Sequence, residues 1–294
     1  MNQTLGITIA RDGARLKAVL ALPAPSPVEA MMLGKTPEEV AELMPRLFNL
    51  CGMAQGLAVR LATGLETAGC DPRREILRDH LSKLCPRWPA LIGHDPMPLP
   101  ADWSKGGAAL QRWIWGNARP SQLEDWLSSG AGISPLLAAI AERFAPGEAV
   151  ADLPDLSQPL SLVPQENSAA GRVRDADLMH QAEARYGRGP LWRALGRVVD
   201  LDRLCFDAPP ARHFAPGVAS VAAARGAYTL QVRLSGGRVS ALTRITPTDH
   251  LTVPGGMLQR SLETLPAEKA SLASLVVDIL DPCVPVLMRE VADA

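Results

Sequence analysis

Apolar and polar residues alternate at the start of the chain, which predicts a β-hairpin. The alternation runs from Leu5 to Leu22, on both sides of Arg11-Asp12-Gly13. In a strand every second side chain points to the same face, so this pattern gives each strand one buried face. We therefore expect two antiparallel strands joined near Gly13.

Helical patterns follow the hairpin. The sequence Thr36-Pro37-Glu38-Glu39 combines an N-cap threonine, a proline at the first helical position and a glutamate placed to complete a capping box. This helix should end or kink at Pro45. From Arg46 to Glu66 apolar residues recur at helical spacing, and Cys51 is one of them, so we expect Cys51 on the buried face of a second helix.

The middle and the C-terminal third of the chain have different patterns. Further helical patterns cover approximately Ser104 to Asn117, Pro120 to Ser128, Pro135 to Phe144, Arg174 to Tyr186 and Pro190 to Leu204. The C-terminal third alternates as strands do on both sides of Ser235-Gly236-Gly237, which predicts a second hairpin. A last helix, about Leu265 to Leu280, should end at Asp281-Pro282.

These elements predict an α+β fold with a mainly helical core and a β-hairpin near each end. We expect a single domain over residues 1–294, because a hydrophobic content of 47% is enough for one large core. Prolines cluster near residues 86–100 and 146–164. Apolar residues continue through both clusters, so we interpret them as ordered irregular excursions.

Charge and hydropathy argue against two classes of partner. The formal net charge of -1 is not that of a nucleic-acid-binding surface. The most apolar stretch, Leu272 to Leu280, is far shorter than the roughly 18 residues that a membrane-spanning helix needs. The N-terminus has no signal-peptide pattern. We expect a cytoplasmic protein without membrane insertion.

The cysteines do not follow a disulfide or zinc pattern. They are Cys51, Cys70, Cys85, Cys205 and Cys283. Their odd number and wide spacing favour reduced thiols, and none stand at C-x-x-C spacing. Cys283 lies between Pro282 and Pro285, so its backbone should be rigid and not helical.

Three local patterns occur in an informative order. They are Leu50-Cys51-Gly52, Arg225-Gly226 before the hairpin that ends in Thr246-Pro247-Thr248, and Asp281-Pro282-Cys283. Together they resemble the large subunit of nickel-iron hydrogenases. In that family the motifs R-x-C-G-x-C, P-R-G-x-L and D-P-C-x-x-C-x-x-H surround a nickel-iron centre whose iron carries carbon monoxide and cyanide. The resemblance implies that Cys51 and Cys283 converge.

The departures from that family are as informative as the matches. Ala54 and Val286 stand where the second cysteine of each pair would be, and Arg289 replaces the histidine. In the hydrogenases the missing cysteines bridge nickel and iron, whereas the retained positions bind nickel terminally. We therefore expect neither a complete binuclear centre nor bound nickel nor hydrogenase catalysis.

A shortened large-subunit relative without these cysteines is similar to the HupK/HoxV family of hydrogenase maturation proteins. The resemblance implies a scaffold that transiently holds the Fe(CN)2(CO) fragment, receives it from a HypC-like chaperone and passes it to the hydrogenase large subunit. It implies that Cys51 and Cys283 are the metal ligands. Because both occupy nickel positions of the parent family, iron ligation by both is a hypothesis.

An iron fragment on two thiolates needs compensating charge. Fe(II) with two cyanides and two thiolates carries a net charge of about minus two, which is costly to bury. The resemblance puts Arg225 beside the diatomic ligands, where a guanidinium offers several donors to cyanide nitrogen. It also matches Thr248 to a hydroxyl that donates to cyanide, and Asp281 is expected to orient Arg225.

Plainer interpretations stand beside these. A cysteine on an apolar helical face is often a packed core residue. Arg225 is also consistent with a surface salt bridge. Thr248 is equally consistent with a turn cap. The alternative function is a metal-free interaction chaperone that mimics the large subunit and binds its maturation partners. An enzyme is not expected, because no paired carboxylates, nucleophile-base arrangement or phosphate-binding loop is evident.

Overall fold

The protein combines many helices with two separate β-sheets. The computed structural model describes residues 4–48 and 50–291; residues 1–3, 49 and 292–294 of the expected domain lie outside the described residues. The strands are β1 (Leu5–Asp12), β2 (Arg15–Ala21), β3 (Ala211–Ala215), β4 (Val218–Ala223), β5 (Gly226–Ser235), β6 (Arg238–Ile245) and β7 (Val286–Val291). The predicted α+β fold, with helices in the majority, is confirmed.

Helices fill the chain between and beyond the strands. The α-helices are α1 (Val28–Met32), α2 (Pro37–Leu47), α3 (Gly52–Thr63), α4 (Arg73–Ser82), α5 (Trp88–Leu91), α6 (Gly107–Trp115), α7 (Leu123–Ser129), α8 (Ser134–Ala141), α9 (Ala169–Arg172), α10 (Asp177–Tyr186), α11 (Pro190–Leu204), α12 (Pro247–Thr252), α13 (Met257–Glu263) and α14 (Ala273–Leu280). A π-helical turn, Lys83–Arg87, joins α4 to α5. Of the two predicted irregular stretches, residues 146–164 and the later part of the first, residues 92–100, have no α-helix or extended strand. The prediction was wrong for residues 86–91, which lie in the π-helical turn and α5.

The first sheet joins the two ends of the described chain. β1 and β2 form the predicted N-terminal hairpin, with Gly6 opposite Ala21. β7 pairs in parallel with the other side of β1, with Leu5 opposite Val286, so the strand order is β2-β1-β7. The sheet therefore anchors the segment that follows Cys283.

The second sheet contains the predicted C-terminal hairpin. Its order is β3-β4-β5-β6, and all neighbours are antiparallel. β5 and β6 join across a turn with Ser235 opposite Arg238. β4 and β5 join across another two-residue turn that contains Arg225, with Ala223 opposite Gly226. α3 packs against β4 and β5.

The start of α2 matches its prediction, but its end does not. The Thr36 hydroxyl accepts a hydrogen bond from the backbone N–H of Glu39, and the Glu39 carboxylate accepts one from the N–H of Thr36. α2 does not end at Pro45, as one of the two predicted outcomes had it, but continues to Leu47. Pro45 has no N–H to donate to the carbonyl of Ala41, so this turn of the helix lacks one backbone hydrogen bond.

Two glycines bring α3 into direct contact with α2. A Cβ at Gly52 would lie 2.7 Å from the carbonyl oxygen of Pro45, and one at Gly56 would lie 2.8 Å from the Pro45 ring.

Since α3 begins only at Gly52, Cys51 is its N-cap residue. Cys51 is partly buried, so the prediction that it lies on the buried face of a helix was wrong.

α11 is the central helix. It packs against α4, α6, α8, α9, α10 and α14, and 14 of its 15 residues are buried. The charged residues Arg193, Arg197, Asp200 and Asp202 lie among these buried residues. Because a buried charge is costly without a partner, each of them must be paired inside the protein.

The described residues include no helix that is both long and apolar enough to cross a bilayer.

Gly196 of α11 is expected to be essential for the contact with α9. A Cβ at this position would lie 2.3 Å from the Cβ of Ala170 and 2.4 Å from its Cα. We expect Gly196→Ala to lower the free energy of unfolding by about 1 to 3 kcal/mol, because two backbones must separate. Urea denaturation followed by circular dichroism measures this.

The matched control adds one heavy atom where there is space. Ala109→Ser lies on an exposed part of α6, so its effect should stay within about 0.5 kcal/mol. Equal stability of Gly196→Ala and the wild type would contradict the tight contact.

Candidate functional site

Cys51 and Cys283 reach one site from distant parts of the chain. Cys51 caps α3, and Cys283 lies between α14 and β7. Both thiols are partly buried and neither forms a disulfide. Burial, followed by the charge of Cys283, raises the pKa of Cys51 to about 12. Such coupling requires that the two side chains lie close together.

Both cysteines are thiols at neutral pH. Burial also raises the pKa of Cys283, although the Arg225 guanidinium and a hydrogen bond from Thr248 act in the opposite direction. A cysteine must lose its proton to bind a metal. A metal that binds here therefore has to displace two protons.

Two side chains hold the first turn of α3 around Cys51. The Glu75 carboxylate, from α4, accepts hydrogen bonds from the backbone N–H of Met53 at 3.1 Å and of Ala54 at 2.9 Å. These N–H groups have no partner within the helix. Gln55 donates through Nε2 to the sulfur of Cys51 at 3.2 Å. The sequence patterns predicted neither Glu75 nor Gln55.

Thr248 holds the backbone of Cys283. Its hydroxyl oxygen accepts a hydrogen bond from the Cys283 N–H at 2.8 Å. The helix that follows is capped by Thr246, which forms a capping box with Asp249. Thr248 is therefore not the cap that the plainer interpretation assigned to it.

Arg225 extends from the β4–β5 turn into the interior. Its side chain is 8% exposed, so it does not form the surface salt bridge of the plainer interpretation. Its Nη1 donates to Asp79 at 2.7 Å, and its Nε donates to the backbone carbonyl of Asp281 at 3.0 Å. The expected contact with the Asp281 carboxylate is also present, at 2.9 Å.

Asp281 is the meeting point of three cations. Its carboxylate lies 2.8 Å from Lys83 Nζ and 2.8 Å from Arg197 Nη2, in addition to the contact with Arg225. Burial alone would raise the pKa of Asp281, but Arg197, Arg225 and Lys83 outweigh burial and lower it to about 2. Asp281 has a φ of 56°, a left-handed conformation that aspartate adopts more readily than most residues.

The cluster of charged side chains around Asp281 continues from Arg197 through α4 to α9. Arg197 Nη1 lies 3.2 Å from His80 Nδ1, and His80 Nε2 lies 2.8 Å from Asp200. Burial lowers the pKa of His80, so the neutral ring accepts from Arg197 and donates to Asp200. Arg172 binds Asp200 at 2.6 Å and also donates to two backbone carbonyls that flank Arg225. The cluster thereby fixes the β4–β5 turn.

The site contains two thiols, and a small cavity lies beside Arg225, Thr248 and Asp281. Within residues 4–48 and 50–291, no group of three or more His, Cys, Asp or Glu side chains is arranged to hold a metal ion. Arg225, Thr248 and Asp281 line a cavity of about 20 Å³. A cavity of this size has room for about one water-sized group.

Sequence patterns missed the buried charges around Asp281. Asp79, Lys83 and Arg197 belong to no motif of the resemblance. Arg193 and Arg197 stand four residues apart on one face of α11, where charged side chains usually point to solvent, so the sequence did not show that Arg197 is buried. Asp79 gave no signal either, because its helix is polar overall and was not predicted.

Comparison with solved structures defines the class of fold. The protein is similar to a chain of the nickel-iron-selenium hydrogenase from Desulfovibrio vulgaris Hildenborough, with a TM-score of 0.58 and 11% identity over 93% of this chain and 94% of that chain. It is similar to a chain of an NAD+-reducing nickel-iron hydrogenase with a TM-score of 0.54 and 15% identity, over 92% of both chains. The fold is that of a hydrogenase large subunit.

Curated relatives define the family. The chain is 58% identical over 294 residues, the full length of both proteins, to the hydrogenase expression/formation protein HupK of Rhodobacter capsulatus. It is 26% identical to HupK of Rhizobium leguminosarum bv. viciae, over 99% of this chain and 98% of that protein. No family model matches the sequence. The chain belongs to the HupK family, and the resemblance inferred from its motifs is confirmed.

Removal of the Asp281 charge should destabilise the protein. In Asp281→Asn the new asparagine tolerates the left-handed backbone as aspartate does. The variant nevertheless removes the negative charge that the three buried cations share. We expect the free energy of unfolding to fall by about 3 to 5 kcal/mol. Chemical denaturation measures the change.

Asp102→Asn is a matched control. Asp102 also has a positive φ of 53°, but its carboxylate is 71% exposed in a surface pair with Lys105. We expect a change below about 1 kcal/mol. Similar losses in the two variants would show that the buried cations do not depend on Asp281.

The effect of Asp281→Asn should also depend on pH. The folded-state pKa of about 2 lies below the value of about 3.9 in unfolded chains. The ionised carboxylate therefore contributes its full stability above about pH 4, and this contribution is lost as the pH falls towards 2. The difference in stability between wild type and variant should narrow over this range, as measured by urea denaturation at several pH values. A difference independent of pH would contradict this assignment.

Proposed function

We propose that this protein is an accessory scaffold in the maturation of nickel-iron hydrogenase. It holds the Fe(CN)2(CO) fragment as a transient cargo on Cys51 and Cys283 and passes the fragment to the hydrogenase large subunit. The observation that carries the proposal is the pair of interacting thiols beside the buried Arg225, in a protein of the HupK family.

Ligand chemistry supports a soft, low-spin metal at this pair. Thiolates suit such an iron, and the neighbouring groups offer hydrogen bonds to its diatomic ligands. Arg225 and Thr248 both line the small cavity, which has room for about one diatomic ligand. In this proposal Cys51 and Cys283 bind the iron, and Arg225 with Thr248 recognises what the iron carries.

The charges of the site favour temporary retention. Arg225 is already paired with Asp79 and Asp281, so it neutralises an anionic cargo only in part. Arg197 and Lys83 add positive charge behind Asp281. Two thiols that must first lose their protons, together with partial charge compensation, favour release of the fragment to the hydrogenase large subunit.

The proposal makes the protein an accessory factor and not an enzyme. Its partners are the hydrogenase large subunit, which receives the fragment, and a HypC-like chaperone, which delivers it. No nickel is needed in this role, because Ala54 and Val286 remove the two bridging ligands of the parent centre.

A second function is an interaction chaperone that mimics the large subunit without binding metal. The observation in its favour is the protonated state of the two thiols, with no third ligand among the described residues. In this alternative the large-subunit fold itself is recognised by the maturation partners.

Substitution of each cysteine separates the two functions. We expect infrared bands of carbon monoxide and cyanide in protein purified anaerobically from maturation-competent cells, because the fragment carries both ligands. Cys51→Ser and Cys283→Ser should each abolish these bands, since one thiolate is too few to retain the fragment. Co-purification of the large subunit should persist.

Cys70→Ser is the control. Cys70 is also partly buried and packs against the same apolar cluster as Cys51, so its substitution should leave the bands in place. Absence of the bands from the wild-type protein, with partner binding intact, would favour the interaction chaperone.

A further inference from the structure

Gln55 has an unusual environment for a buried amide. It lies on α3 one turn after Cys51 and is 1% exposed. Its Nε2 donates to the sulfur of Cys51 at 3.2 Å, whereas its Oε1 is buried without a hydrogen-bond partner. Its only side-chain hydrogen bond among the described residues is therefore the one to the thiol.

This arrangement is unfavourable in a protein that uses Gln55 only for packing. A buried acceptor without a partner costs free energy, and a neutral thiol sulfur is a weak acceptor. Its neighbours on the same helix, Ala54, Ala58 and Val59, belong to a buried apolar cluster. An apolar side chain of similar volume would fit such surroundings better than an amide does.

The arrangement is favourable once Cys51 is a thiolate. A negatively charged sulfur accepts a stronger hydrogen bond from an N–H donor. The backbone bond from the Gln55 N–H to the Cys51 carbonyl, at 3.1 Å, fixes the amide and the sulfur within one helical turn.

We propose that Gln55 is a positioning residue for the metal-bound form of Cys51. Its N–H···S hydrogen bond orients the sulfur and withdraws electron density from it, so that the thiolate donates less strongly to the iron. This inference rests on the proposed function and deepens it, because it assigns to one side chain the control of how firmly the cargo is held. Hydrogen bonds to metal-bound sulfur tune metal sites in this way.

The test replaces Gln55 with methionine, which has a similar volume and no N–H donor. Without the hydrogen bond the thiolate donates more strongly, the iron returns more electron density to its ligands, and the carbon monoxide band should shift to lower wavenumber. The infrared spectrum of anaerobically purified protein measures the shift. Gln111→Met is the control, since Gln111 donates to Asp202 on α11 and not to Cys51.

Thermal unfolding of the metal-free proteins is the second measurement. Because Gln55→Met removes a buried acceptor without a partner, its melting temperature should equal or exceed that of the wild type. A shifted or lost carbon monoxide band at unchanged stability supports the proposal.

Two results would overturn the inference while leaving the proposed function intact. One is an unshifted band in Gln55→Met. The other is a large fall in melting temperature, which would mean that Gln55 serves the fold. A wild-type protein without bands is a different result, because it removes the proposed function and the inference together.

Discussion

The carboxylate of Asp281 is the interaction on which the geometry of the site depends. It attracts Lys83 from the turn after α4, Arg197 from α11 and Arg225 from the β4–β5 turn. Three elements that are distant in sequence thus converge on one buried anion. The same residue ends α14 in a left-handed conformation and directs the chain towards Cys283. A buried carboxylate with three cations is stable only if all the partners stay in place, so the cluster specifies one arrangement of these elements.

Local chemistry made part of this architecture predictable. The capping box at Thr36, the turns of both hairpins and the break before Pro282 depend on neighbours within a few residues, and each appears as expected. The hydrogenase motifs added what local patterns could not, namely that Cys51 and Cys283 belong to one site. Their order along the chain was sufficient for this, although two of the four cysteines are missing.

Other elements escaped prediction because tertiary contacts determine them. α4 has many charged residues in sequence and no clear apolar stripe, yet it supplies Glu75, Asp79 and His80 to the site. β7 exists only through parallel pairing with β1, at the other end of the described chain. Cys51 is an N-cap residue and does not lie on the expected helical face, because α2 ends before Cys51 and α3 begins only after it. For α4 and β7 the deciding partners lie far away in the sequence, and patterns within one segment do not report them.

The separation of Cys51 and Cys283 along the chain has a consequence for the timing of assembly. During synthesis, domains fold as their residues leave the ribosome, so α3 and its capping thiol can form early. Cys283 follows only after α11 and both strands that border Arg225 have been made. A nascent or truncated chain would present a single thiol, which is a poor ligand set for an iron fragment. On the proposed function, cargo capture therefore acts as a checkpoint for complete synthesis, because only a chain with its last strand paired to its first offers both sulfurs.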